Sequence, residues 1–188
     1  MAIKVITPPV TEPMTLTEAK QYLRVDGTAD DALITSLIKQ AREWCEGYQG
    51  KKYITQTLEL VLDAFPSGDI EFKACSPVQS VTSVKYTDKD SVETTLATTE
   101  YILDSDSFVA KIILGYNKQW PTAILQPVNA LRIRFVAGYG VAAAVPESVK
   151  WAMALHMRLL YDDYKPEDRA KMERARDSIL GMNRVMPV

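Results

Sequence analysis

The 188-residue sequence predicts an α+β protein in which N- and C-terminal helices form a bundle and a β-rich insertion lies between them. Three observations predict it. Apolar residues recur at the 3.6-residue helical period from Leu16 to Tyr48. They alternate with polar residues through much of the middle, most clearly in Leu131-Arg132-Ile133-Arg134-Phe135. The helical period then resumes after Pro146. The expected divisions are an extended arm at 1–13, a helical core at 14–51 and 141–181, a β-rich insertion at 52–140, and a flexible tail at 182–188.

The arm holds three prolines among β-branched residues, a composition that stays extended and orders against a neighbour. Thr15 and Glu18 then have the spacing of a capping box, which starts a short first helix carrying Leu16, Ala19 and Leu23 on one face. It should stop near Val25-Asp26-Gly27. A second helix begins at Asp30 and Asp31, whose charges suit an exposed amide end, and runs through Leu33, Ile34, Leu37, Ile38, Ala41, Trp44, Cys45 and Tyr48 to Gly50.

Beyond Gly50 the periodicity changes. Residues 53–65 read as a strand with Leu58, Leu60 and Leu62 on its apolar face. Pro66-Ser67-Gly68-Asp69 turns the chain into a short strand at 70–72, and a further strand follows from Val78 to Tyr86. Thr87 to Ser91 reads as a hairpin loop that returns through 92–96, with more short strands at 101–103 and 111–114. Gly138 and Gly140 allow a sharp change of direction after the strand at 131–135.

Pro146 and Glu147 suit the first turn of a helix reaching about Tyr161. Its apolar residues occupy two directions, Trp151, Leu155 and Leu159 on one and Met153, Met157 and Leu160 on another. Such a helix needs cover on two sides, from its own domain or from a neighbouring subunit. After Pro166 a polar helix is expected at 168–180, with an Arg169–Glu173 pair at i,i+4.

Bulk composition narrows the function. A net charge of −2 excludes a protein whose whole surface coats nucleic acid, though a ring that encircles DNA without gripping it remains compatible. No apolar run reaches the roughly 20 residues of a membrane span, and the first 13 residues lack a signal-peptide core. The expectation is synthesis in the cytoplasm and no membrane partner. Cys45 and Cys75 have no metal-site spacing and read as reduced packing residues.

Chemistry-bearing groups all have structural explanations. His156, the single histidine, has no carboxylate or nucleophile at useful helical spacing: Asp162 and Asp163 lie six and seven residues on, and Ser148 eight before. Asp104 and Asp106 sit in an Asp-Ser-Asp-Ser run that makes turns, as do Asp88 and Asp90. The glycines spell no phosphate-binding loop. Arg132 and Arg134 share a strand face, either solvated or near phosphates with Lys85 or Lys111 beside them. No catalytic, cofactor or metal set is expected.

Several stretches resemble a known family in order and spacing: LTEAKQYLRV at 16–25, DDALI at 30–34, AREWCEGYQG at 41–50 and TQT at 55–57. PVQSVTSV at 77–84, YNKQWP at 116–121, FVAGYG at 135–140 and VPESVK at 145–150 continue the likeness. Across about residues 14–165 the chain resembles the head-tail connector (adaptor, head-completion) family of tailed bacteriophages and prophages, in its form with a β-rich insertion.

The resemblance implies a homo-oligomeric ring, of about twelve subunits in the virion and of another count or monomeric when free. It implies docking on the portal protein after DNA packaging, contact with a stopper or tail-completion protein, and double-stranded DNA passing through the channel without sequence-specific binding. The place implied is the virion neck. Candidate subunit or partner contacts are Trp151, Leu155, Leu159, Arg169, Arg176 and Trp120, the last with a core role as its alternative. Arg132 and Arg134 are the candidate DNA-proximal residues. Other readings are a different neck or tail-completion protein, a DNA-binding packaging accessory, and a small hydrolase using Asp104, Asp106 or His156.

Overall fold

The structure, a computed structural model, describes residues 2–185, so the expectation of a flexible tail lies outside the described residues at 186–188. The chain divides into two compact units, one of Met1–Pro9 with Thr55–Gly138 and one of Val10–Ile54 with Tyr139–Val188.

The first unit is all β. Strands β1 (Ala2–Thr7), β2 (Gln56–Leu62), β4 (Val78–Thr87), β5 (Glu93–Leu96) and β8 (Leu131–Ala137) form an antiparallel sheet in the order β1-β2-β8-β4-β5. Strands β3 (Ile70–Glu71), β6 (Tyr101–Asp104) and β7 (Lys111–Leu114) form a second sheet in the order β3-β7-β6. Alternation in β8 decides which face is internal: Leu131, Ile133 and Phe135 are fully buried and pair across the ladder with Leu62, Leu60 and Leu58 of β2. Val84, Ile70, Phe72 and Ile112 complete the core, and Phe72 packs on Phe135 with ring centroids 4.5 Å apart.

The arm expected at 1–13 needs correction. Ala2–Thr7 is an edge strand of this unit, paired antiparallel with β2 from Ala2↔Val61 to Val5↔Leu58. Its β-branched residues favour the pleat, and pairing satisfies backbone groups that β2 would otherwise expose on that side. Strand β2 therefore runs between two neighbours, and Glu59 and Val61 on its outer face are buried along with Leu58 and Leu60.

The second unit is helical: α1 (Leu16–Leu23), α2 (Asp31–Gln49), a 3₁₀ turn (Ala142–Ala144), α3 (Glu147–Tyr161) and α4 (Pro166–Gly181). The capping box is present, with Thr15 Oγ1 accepting from the Glu18 amide at 3.2 Å and Glu18 accepting from the Thr15 amide at 2.7 Å. Helix α1 ends at Arg24 in the left-handed region, and α2 ends at Gly50 in the same conformation. Ile34, Leu37, Ile38 and Ala41 of α2 pack with Ala19 and Leu23 of α1 and with Val149, Ala152, Met153 and Met157 of α3. Asp30 is the N-cap position of α2, but its carboxylate accepts from the Tyr161 hydroxyl at 2.7 Å rather than capping.

Two features of the C-terminal region differ from the sequence reading. Helix α4 starts at Pro166, where the fixed φ of proline suits the first turn and its missing N–H leaves no donor unpaired. The segment after it is held down as far as Val185, which is 1% exposed and donates its amide to the Gln49 carbonyl at 2.8 Å.

Candidate functional site

The side chains considered for catalysis are committed to structure. The His156 ring stacks on Trp44 with centroids 4.4 Å apart, and its Nδ1 lies 2.9 Å from Nη1 of Arg176. The Arg176 guanidinium stands 3.8 Å above the Trp44 ring, a cation–π contact. Burial, reinforced by the Arg176 charge, pushes His156 down to about 4. The neutral imidazole accepts the arginine proton at Nδ1, so that nitrogen is unavailable as a base near pH 7.

The carboxylate pairs make turns. Asp104 accepts from the amides of Asp106 and Ser107 at 3.2 and 3.1 Å and from the Ser107 hydroxyl at 2.6 Å, and the Ser107 bonds hold its carboxyl below the usual range. Asp88 accepts from the amides of Asp90 and Val92, both at 2.9 Å. Both are the local bonds that short acidic side chains offer the backbone. Cys45 is fully buried, and desolvation pushes its thiol up to about 12. Among the described residues no group of His, Cys, Asp and Glu could hold a metal ion, and no helix is long and apolar enough to cross a membrane.

The candidate contact residues separate by burial. Trp151 is 48% exposed and meets Tyr22 edge-on with centroids 5.5 Å apart. Leu155, one turn on, is half-buried. Leu159 and Arg176, expected at an interface, are only 3% and 7% exposed, because α3 and α4 cover them within the unit. Arg169 keeps a half-exposed side chain, paired with Glu173 at 3.1 Å, and also donates to the Leu159 carbonyl at 3.3 Å. Trp120 is half-buried in the β unit, stacked on Phe65 at 5.2 Å with its indole N–H donating to the Gly68 carbonyl at 3.2 Å. That packing fixes the orientation of its ring within the β unit.

The structure brings Arg132 and Arg134 together with groups that the sequence reading named only in part. Both point from the outer face of the five-stranded sheet and hold the same carboxylate, Glu59, at 3.3 and 3.2 Å. Lys85 stands opposite Arg132 in the ladder and pairs with Glu93 at 2.6 Å. Lys4 stands opposite Glu59 on its other side. Glu59, Ser83, Lys85, Glu93, Arg132 and Arg134 line a polar hollow of about 200 Å³. Glu59 and Glu93 were missed because their partners are chosen by strand order; alternating charge along β2 and β8 was the one available signal.

The fold is α+β, and the histidine, carboxylates and buried thiol considered for catalysis serve packing and turns. The chain belongs to the phage gp6-like head-tail connector protein family, which it matches over residues 13–117, more than half its length. A comparison with curated proteins found no match.

Similar solved structures share the fold along the whole chain. A chain from the neck of an empty gene transfer agent particle, determined with C6 symmetry, is 23% identical, with a TM-score of 0.79. One from the virion of the native gene transfer agent is 23% identical, with a TM-score of 0.78. One from the neck of the native particle, determined with C12 symmetry, is 23% identical, with a TM-score of 0.73. Each similarity covers 100% of this chain and 97% of the other. The protein is a head-tail connector, and its role is structural.

Proposed function

We propose that this connector docks as a ring of about twelve subunits on the portal after DNA packaging and bridges to a stopper or tail-completion protein. Double-stranded DNA passes through the ring without sequence-specific recognition. The carrying observation is agreement of fold over the full chain with chains from gene transfer agent necks computed with C6 and C12 symmetry. The exposed indole of Trp151 supports it, since α3 is otherwise the most buried helix and a large aromatic at its surface suits a protein contact.

The test is to mix the purified protein with portal-bearing, DNA-filled heads and image the portal vertex. A new ring of density there is the expected result. Heads that remain unchanged at saturating protein would overturn the portal-docking reading. A DNA-binding packaging accessory would instead associate with free duplex in a strongly salt-dependent way and add nothing at the vertex.

A further inference from the structure

We propose that the outer face of the five-stranded sheet is a duplex-DNA contact surface whose grip is held down by Glu59 and Glu93. The inference rests on the neck reading above and assigns this face to the duplex that fills the ring.

The ladder sets the geometry. Lys4, Glu59, Arg134 and Ser83 occupy one rung across β1, β2, β8 and β4. Arg132, Lys85 and Thr95 occupy the next outward-facing rung across β8, β4 and β5. Adjacent strands are about 4.8 Å apart, so the charges form a compact chequerboard. The side chains of Lys85, Arg132 and Arg134 are 41%, 38% and 45% exposed, whereas that of Glu59 is only 9% exposed. The cations therefore project over a sunken carboxylate.

Like charges directly opposite each other destabilise a sheet, so cross-strand pairing alone does not favour a surplus of one sign such as Lys85 facing Arg132. This face has Lys4, Lys85, Arg132 and Arg134 against Glu59 and Glu93, and a single carboxylate serves both arginines. The surplus is positive, as a polyphosphate partner requires, and the acids halve it. Counterion release makes that surplus measurable: log K falls against log salt with a slope of about −0.9 for each phosphate neutralised. Two uncompensated cations give a slope of about −2, a grip weak enough for DNA to slide; four would give about −4.

The experiment is fluorescence anisotropy of a labelled duplex of about 20 base pairs from 50 to 200 mM monovalent salt, using the full chain. Wild type should lose about tenfold in affinity across that range, and E59Q/E93Q on the order of a hundredfold. At the lowest salt the double variant should bind at least about tenfold more tightly than wild type. Adding R132Q and R134Q should abolish the gain. E93Q alone alters an exposed side chain and should raise the slope by about one, so the test does not depend on Glu59 being dispensable for folding.

An unchanged slope in folded E93Q and E59Q/E93Q overturns the proposal. So does a gain that survives R132Q/R134Q, or an equal gain towards polyglutamate, which would mark a contact for acidic protein. Ring formation on heads is read separately: a flat salt response removes this surface without affecting the connector role, and heads without a ring remove the docking role without altering the salt slopes.

Discussion

The buried carboxylate of Glu46 accepts the backbone N–H of Tyr53 at 2.9 Å, joining the side of α2 to the strand-bound segment that follows it. Glu46 also meets Arg42 at 3.3 Å and Lys52 at 3.2 Å, and Arg42 grips Glu12 through two bonds of 2.7 and 3.3 Å. One turn along α2, Gln49 accepts from the Tyr53 hydroxyl and donates to the Leu180 carbonyl, each at 3.1 Å. Three polar residues in a buried helical stripe thus tie together the segment before α1, the segment after α2 and the end of α4.

Replacing Glu46 with Ala removes the acceptor while leaving Arg42 and the Tyr53 amide buried. Losing one partner from such a network costs about 3 kcal/mol, more than the pair itself contributes. Urea denaturation should show that loss. A change below about 0.5 kcal/mol would show that water replaces the carboxylate without penalty.

Gly50 admits no side chain. Its φ is +68°, and an added Cβ would lie 2.6 Å from the Val185 carbonyl oxygen. Gly50→Ala should cost more than about 1 kcal/mol and release the last described turn from α2. Hydrogen exchange reads this directly, because the Val185 amide is protected only while it donates to Gln49. Unchanged protection at Val185 would contradict the steric argument.

Acid should loosen the helical unit through His156. Its folded pKa is depressed to about 4 from an ordinary 6.5, so the unfolded chain binds the extra proton between those values. Stability is therefore full above about pH 6.5 and falls as pH drops towards 4, by on the order of 2 kcal/mol after allowance for screening. Denaturation midpoints at pH 7 and 4.5 should differ less in His156→Gln, in which an amide oxygen can accept from Arg176. Equal pH dependence in both proteins would locate the acid sensitivity elsewhere.

Trp151 separates assembly from folding. Trp151→Ala loses the edge-on contact with Tyr22 and half-exposed apolar area, costing about 1 kcal/mol of stability. On DNA-filled heads the same variant should reduce ring occupancy at the portal at least about tenfold, since a central aromatic anchor carries 2 kcal/mol or more of a protein interface. Full occupancy at wild-type concentration would move the contact away from α3.

Much of the architecture was legible because its signals are local. Thr15 and Glu18 are three residues apart and close their own capping box; Gly50 ends α2 through its own φ; β8 alternates within seven residues. The functional surfaces were only partly legible. Arg132 and Arg134 could be placed on one face by parity, whereas their shared partner Glu59 lies 73 and 75 residues away in sequence. Leu159 and Trp151 read alike as apolar positions of one stripe, yet packing buries the first and leaves the second exposed.

The sequence by itself determined the order of the four helices and of the strands from β2 onward, the capping box at Thr15, the stop at Gly50, the inward faces of β2 and β8 and, through its ordered motifs, the connector family. Tertiary structure alone decided that residues 2–7 pair with β2, that Arg42, Glu46 and Gln49 turn inward, and that His156 sits between Trp44 and Arg176. The division has one physical cause. Periodicity and capping follow from interactions over a few residues, while strand partners and the burial of polar groups depend on contacts closed across long loops, where only the complete set of satisfied hydrogen bonds and packed apolar area selects one arrangement.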